Sequence, residues 1–143
     1  MHQNRGENQM LTDPTTPLVK DKTGLTLSLC KAFDILNCFT PETPMLRITD
    51  ITKRVGMTQS SVSRLVNTMV AYGFIEKNEE SSCYQLGKRI ITLSSVALNH
   101  SEIRRQALPE LFRLEQEFKV GANLAVLENG EMYYLAHVDS RSS

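Results

Sequence analysis

The residues best suited to chemistry lie between Thr58 and Tyr72, where apolar and polar side chains recur with helical spacing. Four apolar residues at i, i+3, i+4 and i+7 predict one buried stripe: Val62, Leu65, Val66 and Met69. At about 100° per residue, the opposite side carries four small or polar residues: Ser60, Arg64, Asn67 and Ala71. An amide can pair with adenine, arginine can pair with guanine, and short side chains let a helix approach base edges. The spacing therefore favours a helix that reads the major groove of DNA.

The first turn of this helix has a composition that suits phosphate. Thr58 is placed to cap the helix, and four polar residues cluster behind it: Gln59, Ser60, Ser61 and Ser63. Unpaired backbone N–H groups and the helix dipole favour an anion at such an end. Any exposed helix face is polar, however, so these residues taken alone fit an ordinary solvated surface equally well.

Catalytic and metal chemistry have little support in the sequence. His2, His100 and His137 are far apart, and the chain has no HExxH, GxSxG, CxxC or glycine-rich phosphate-binding motif. Cys30 and Cys38 are eight residues apart on a predicted helix, which is poor geometry for one metal ion and fits small buried side chains better. We therefore expect no enzyme activity, no cofactor and no metal.

The first of the elements that position the reading helix is another helix. Residues 25–39 have helical spacing, with Thr26 or Ser28 as the cap, and the two prolines of residues 40–44 end the helix. Five apolar residues recur at helical spacing along it: Leu29, Ala32, Phe33, Leu36 and Phe39.

A helix-turn-helix arrangement follows this first helix. Thr49 is predicted to cap a short helix that buries Ile48, Ile51 and Val55. Gly56 fits the left-handed position that ends a helix, and the reading helix begins two residues later.

Two β-hairpins are predicted from strand-like runs around turns. Residues 74–77 and 83–86 flank a polar turn and predict a wing beside the reading helix. Residues 122–127 and 132–138 flank an Asn-Gly pair, the strongest short hairpin signal, and predict the start of a second sheet domain.

Between the hairpins the pattern is helical. Residues from 88 onward carry two apolar stripes, one made of Ile90, Leu93 and Ala97 and the other of Ile91 and Leu98. One stripe can cover its own domain and the other can meet a second copy, unless both pack on the helix that follows. That helix, residues 101–118, places three apolar residues on one side: Leu111, Leu114 and Phe118. Pro109 predicts a break near Leu108.

Charge gives only modest support for a nucleic-acid partner. The chain has 16 basic and 16 acidic residues, and between Gly24 and His100 eight bases face six acids. The candidates for phosphate contact, each of which also fits a solvated surface, are Arg47, Lys53, Arg54, Lys77, Lys88 and Arg89. Glu79 and Glu80 at the wing tip argue against deep wing contact. Because the excess of basic residues is small, one copy of the chain is predicted to bind DNA weakly. A dimer is therefore needed for useful affinity.

Length and composition bound the protein class. A chain of 143 residues with 41% hydrophobic residues can fold as one domain plus part of a second. Three cysteines without close spacing fit a reducing compartment, and the sequence shows neither a leader pattern nor a membrane-spanning run. We expect a soluble cytoplasmic protein.

Five segments, in their order and spacing, resemble the IclR family of bacterial transcription regulators. They are residues 28–36 (SLCKAFDIL), 48–56 (ITDITKRVG), 60–65 (SSVSRL), 72–75 (YGFI) and 84–87 (YQLG). Residues 103–109 and 123–138 resemble that family's linker and the opening of its effector-binding domain.

The resemblance implies a winged-helix domain that binds an operator, dimerises through a linker helix and responds to a small metabolite. Six residues stand where the family's recognition helix begins, and Lys77 stands in its wing; the six are Thr58, Gln59, Ser60, Ser61, Ser63 and Arg64. The acidic wing tip departs from the pattern, and most of the effector domain is absent. The chain is therefore interpreted either as a fragment of a longer regulator, which could be tetrameric, or as a shortened protein without a metabolite switch.

The combined prediction is an α+β chain with a winged helix-turn-helix, a linker helix and a truncated α/β effector-domain fragment. The predicted boundaries are a flexible arm at 1–23, a DNA-binding domain at 24–87, a linker at 88–108 and the fragment at 109–143. The predicted protein is a sequence-specific transcription regulator that binds a pseudo-palindromic operator as a dimer. The resemblance to the family implies a repressor rather than an activator. The alternative is a protein-interaction or dimerisation module on the same scaffold.

Overall fold

A computed structural model of the chain describes residues 18–140 and has the predicted mixture of helices and β-hairpins. The chain divides into two compact units, Met1–Thr92 and Leu93–Ser143. Of the predicted flexible arm, residues 1–17 lie outside the described residues. Lys22, near the end of that arm, donates to Asp34 over 2.6 Å, and this hydrogen bond raises the pKa of the lysine.

The first helix, α1 (Leu27–Leu36), lies inside the predicted range. Ile35 is fully buried, and so is Cys38 just beyond the helix, where burial raises the pKa of its thiol. Of the five apolar residues with helical spacing, Ala32, Leu36 and Phe39 pack against the core, whereas Leu29 and Phe33 are 53% and 51% exposed. Because α1 is apolar on most sides, its periodicity does not decide which side meets the neighbouring helices.

The helix-turn-helix consists of α2 (Ile48–Val55) and α3 (Gln59–Ala71). The prediction that Thr49 caps α2 was wrong, because the helix begins at Ile48, two residues before a helix capped by Thr49 would begin. Arg47 is the N-cap residue, and its backbone N–H donates to the Asp50 carboxylate over 3.0 Å. The left-handed turn at Gly56 is confirmed by its φ of 65°.

The core of the first unit lies where α1, α2, α3 and the wing meet. The predicted stripe of α3 supplies much of it, with Leu65 partly buried at its edge. The buried members are Ile35, Cys38, Leu46, Ile51, Val62, Val66, Met69 and Ile75.

The predicted wing is confirmed as an antiparallel hairpin of β1 (Ile75–Asn78) and β2 (Cys83–Leu86). Its far side is joined by Leu46, which exchanges two backbone hydrogen bonds with Tyr84 at 2.9 and 2.7 Å. The hairpin is therefore tied both to α3, which precedes it, and to the segment before α2.

Gly87, directly after the wing, lies against the backbone at the end of α3. A Cβ at this position would be 2.2 Å from the Gly73 carbonyl oxygen. The Gly87 N–H donates to the Phe74 carbonyl over 2.8 Å, and the Arg89 N–H donates to Gly73 over 3.0 Å. Only a residue without a side chain permits this approach.

Gly87→Ala is therefore expected to destabilise the first unit by about 1–3 kcal/mol, as overpacking of a closed site does. Thermal unfolding followed by circular dichroism measures the loss. Gly121→Ala is the matched control, because its Cβ would meet the backbone no closer than 3.4 Å. Equal melting temperatures for the two variants would contradict the close approach at Gly87.

Helix α4 (Lys88–Asn99) begins in the first unit and ends in the second. None of its twelve residues is buried. Helix α5 (Glu102–Phe118) follows after His100, with Ser101 as the cap that accepts from the Arg104 N–H over 3.3 Å. The helical region predicted from residue 88 thus contains an interruption at 100–101.

The predicted break near Leu108 was wrong, because α5 continues through Pro109. Proline removes one N–H from the helix, and the carbonyl that loses its partner belongs to Arg105. Both residues lie on the exposed side, where water can satisfy that carbonyl. Phe118, which was predicted to share one side of the helix with Leu111 and Leu114, is 58% exposed because it lies at the last position of the helix, beyond the buried Leu111 and Glu115.

The second predicted hairpin is confirmed as β3 (Ala122–Glu128) and β4 (Glu131–Val138), which pair antiparallel and pack on α5. Its turn has positive φ at both Asn129 (53°) and Gly130 (83°), as a two-residue hairpin turn requires.

Candidate nucleic-acid interface

The outward face of α3 is polar and open to solvent. Gln59, Ser60, Arg64 and Asn67 are exposed there, while Val62 and Val66 on the opposite side are fully buried. The predicted sidedness of this helix is confirmed. A neighbouring duplex could therefore be contacted by amide, hydroxyl and guanidinium groups from one helix face.

A cluster of hydroxyl groups closes the N-terminus of α3. The Thr58 Oγ1 accepts from the Ser61 N–H over 3.4 Å and donates to the Ser61 hydroxyl over 2.9 Å. The Ser60 hydroxyl lies 3.3 Å from the same oxygen. Ser61 and Ser63 are half-buried, so Gln59 and Ser60 are the more accessible of the four predicted polar residues.

Removal of the cap in Thr58→Ala is expected to cost about 0.5–2 kcal/mol of stability, because the first turn loses its side-chain acceptor. The melting temperature should fall before DNA binding is lost. Thr49→Ala provides the control, since Thr49 caps nothing in this structure. A Thr58 variant as stable as the Thr49 variant would mean that the Thr58 hydroxyl adds nothing to the helix.

The residues predicted to contact phosphate differ in how freely their charges can reach a DNA backbone. Arg47 and Lys53 are exposed, as are Lys88 and Arg89. Lys77 lies 3.5 Å from Glu79, so part of the wing's positive charge is balanced locally.

Arg54 has a structural role instead. Its guanidinium donates to the Cys38 carbonyl over 2.7 Å and to the Thr43 hydroxyl over 2.9 Å. The side chain is half-buried and ties the end of α2 to the segment after α1.

An open groove of about 500 Å³ lies between α1 and α3, beside the outward face. Ser28 and Lys31 of α1 line one side, and the other side carries Ser61, Arg64, Leu65, Asn67 and Thr68. Lys31 was not among the residues predicted for the site. Periodicity shows that Ser28 and Lys31 share a helix face, but the neighbouring helix is decided by tertiary packing.

The residues predicted for dimerisation form an apolar band on α4. Ile91 is 66% exposed and Leu93 43%, whereas Ile90 and Leu98 are half-buried and Ala97 is exposed. Val96, which was not among the predicted residues and lies beside the band, is also 66% exposed. So much exposed apolar surface on one helix is typical of an interaction surface.

Neither a metal centre nor a membrane span is found between residues 18 and 140. No three His, Cys, Asp or Glu side chains in that range converge as ligands for one ion. No helix there is both long and apolar enough to cross a bilayer.

Comparison with known proteins matches the helix-turn-helix region to a family model. Residues 28–79 match the model described as the IclR helix-turn-helix domain, a range that includes α2, α3, β1 and all of α1 except its first residue. The HTH-type transcriptional regulator XynR of Escherichia coli is 27% identical over 114 residues, which are 80% of this chain and 45% of that protein. The chain thus spans less than half the length of this relative.

Solved structures agree with the sequence match. An IclR family transcriptional regulator from Brucella abortus has a TM-score of 0.69 at 28% identity, covering 92% of this chain and 50% of that one. An IclR homologue from Microbacterium hydrocarbonoxydans, solved with 4-hydroxybenzoate, also has a TM-score of 0.69 at 28% identity, covering 81% and 48%. Residues 28–79 thus match an IclR helix-turn-helix domain, and the chain is similar in sequence and in fold to transcription regulators of the IclR family.

Proposed function

We propose that the chain binds double-stranded DNA and regulates transcription, with α3 inserted in the major groove. The observation that carries this proposal is the polar outward face of α3. There Arg64 forms no ion pair among the described residues and stands beside Asn67. A guanidinium and an amide one turn apart suit base edges, while the hydroxyls at the start of the helix suit the backbone. The nine proposed contact residues are Thr58, Gln59, Ser60, Ser61, Ser63, Arg64, Asn67, Arg47 and Lys77.

The proposed active form is a two-fold dimer joined through the apolar band of α4. A single helix-turn-helix with two excess positive charges binds DNA weakly, whereas two linked copies address two half-sites at once. Two-fold symmetry then requires a pseudo-palindromic operator. The band residues proposed for this contact are Ile90, Ile91, Leu93, Ala97 and Leu98. Occupation of such an operator makes repression the proposed direction of regulation.

We assign residues 24–87 to DNA binding, 88–108 to the linker and 109–143 to the opening of an effector-binding domain. The Microbacterium homologue was solved with 4-hydroxybenzoate, and the match covers only 48% of its longer chain. A longer form of this protein would respond to a small molecule through the completed domain.

Selection from a random pool of duplexes with the purified chain tests the proposal. The expected result is enrichment of a sequence with two inverted half-sites. Affinity for the enriched duplex should fall steeply as salt rises, since phosphate contacts release counterions. If no sequence is enriched and no duplex is bound at low salt, the DNA-binding function is wrong. The alternative of a protein-interaction module would then be favoured.

A further inference from the structure

We propose that Lys31 of α1 binds a backbone phosphate of the DNA duplex that α3 reads. This inference rests on the proposed DNA-binding function and extends it to a helix outside the helix-turn-helix. The phosphate would lie at the groove between α1 and α3, next to the residues that face the bases.

The first observation is that the groove brings together two cations from different helices. Lys31 and Arg64 both line it, and each is exposed. Neither makes an ion pair or a side-chain hydrogen bond within residues 18–140. Two uncompensated positive charges on one open groove favour an anion there.

The second observation concerns the acid nearest to Lys31 on its own helix. Asp34 is one turn away and is the natural partner for a lysine at i, i+3. Its carboxylate instead accepts from Lys22 over 2.6 Å, and the pair is about three-quarters shielded from solvent. Because Asp34 is held by another lysine, the charge of Lys31 remains available to a ligand.

The third observation is the chemistry of the other lining groups. Ser28 lies on the same side of α1 as Lys31, and its hydroxyl can donate to a phosphate oxygen. Lys31 lies on α1, next to the helix that carries the base-facing side chains, so its ammonium suits the DNA strand that borders the major groove rather than base edges. A contact of this kind strengthens binding to every sequence alike.

Lys31→Gln tests the inference in the full chain, with the duplex enriched from the random pool and an unrelated duplex of equal length as probes. Fluorescence anisotropy should show affinity about 5–10-fold lower per bound chain at about 0.1 M salt, by the same factor for both probes. The slope of log affinity against log salt should become shallower by about one per chain. Lys31→Arg should retain affinity.

Lys119→Gln is the matched control, since it removes the same charge from the second unit at an equally exposed position. If Lys31→Gln and Lys119→Gln have the same affinity and salt slope while the unmodified chain binds the enriched duplex, the Lys31 contact is wrong and the DNA-binding function stands. If the unmodified chain binds neither probe, the DNA-binding function itself fails. A Lys31→Gln effect on the enriched duplex alone would contradict a phosphate contact.

Discussion

Arg64→Ala is expected to weaken binding to the enriched duplex by about 1–3 kcal/mol, or about 5- to 150-fold. The guanidinium stands on the outward face of α3 without an ion pair in the described part of the chain, so its truncation removes a donor that nothing else on the helix replaces. If Arg64 pairs with a guanine, the preference at one base position should relax in a repeated selection. If it holds only a phosphate, affinity should fall equally for all sequences.

A gel-shift titration measures the change, and Arg105→Ala is the control. Arg105 is 73% exposed on α5 and pairs with Glu102, so its loss alters charge without touching the α3 surface. Circular dichroism of both variants should match the unmodified chain, because neither side chain is buried. An Arg64 variant that binds the enriched duplex as tightly as the Arg105 variant would remove Arg64 from the interface.

Leu93→Glu is expected to convert the dimer into a monomer and to lower operator affinity by about 100- to 10,000-fold. The leucine lies in the exposed apolar band of α4, where a carboxylate facing its symmetry copy would be desolvated. Loss of the dimer removes the second half-site contact, which explains why the effect on affinity exceeds that of any single side chain.

Sedimentation velocity gives the mass, and anisotropy gives the affinity of the same samples. Thr92→Glu serves as the control because Thr92 is exposed on the side of α4 opposite the band, where its hydroxyl donates to the Lys88 carbonyl of its own helix. Leu98→Glu is a second test within the band. A folded Leu93 or Leu98 variant with the mass and affinity of the unmodified chain would show that α4 does not join two copies.

Local signals were sufficient for the elements that form the DNA-binding face. The stripe of α3, the Thr58 cap and the glycine at position 56 each depend on residues within one or two turns of each other. The Asn-Gly turn of the second hairpin is equally local, because its two residues alone supply the backbone angles.

Features that depend on tertiary packing could not be predicted from the spacing of apolar residues in the sequence. The apolar residues of α1 surround much of the helix, so only contact with α2 and α3 decides that Ile35 is buried and Phe33 is not. The role of Lys31 also depends on that packing, since it arises where α1 and α3 adjoin. Pro109 is tolerated because its side of α5 is solvated, a property of position in the fold rather than of the residue.

The backbone contact between Gly73 and Gly87 fixes the angle at which the first turn of α4 leaves the end of α3. In the proposed dimer that angle determines the distance between the two α3 helices, and so the spacing of the half-sites, which must match a DNA repeat of about 34–36 Å. Base preference and half-site spacing would then be set by separate parts of the chain. Substitutions on α3 could change which bases are recognised while the spacing stays constant, and a descendant with a new recognition sequence would keep the operator geometry of its ancestor.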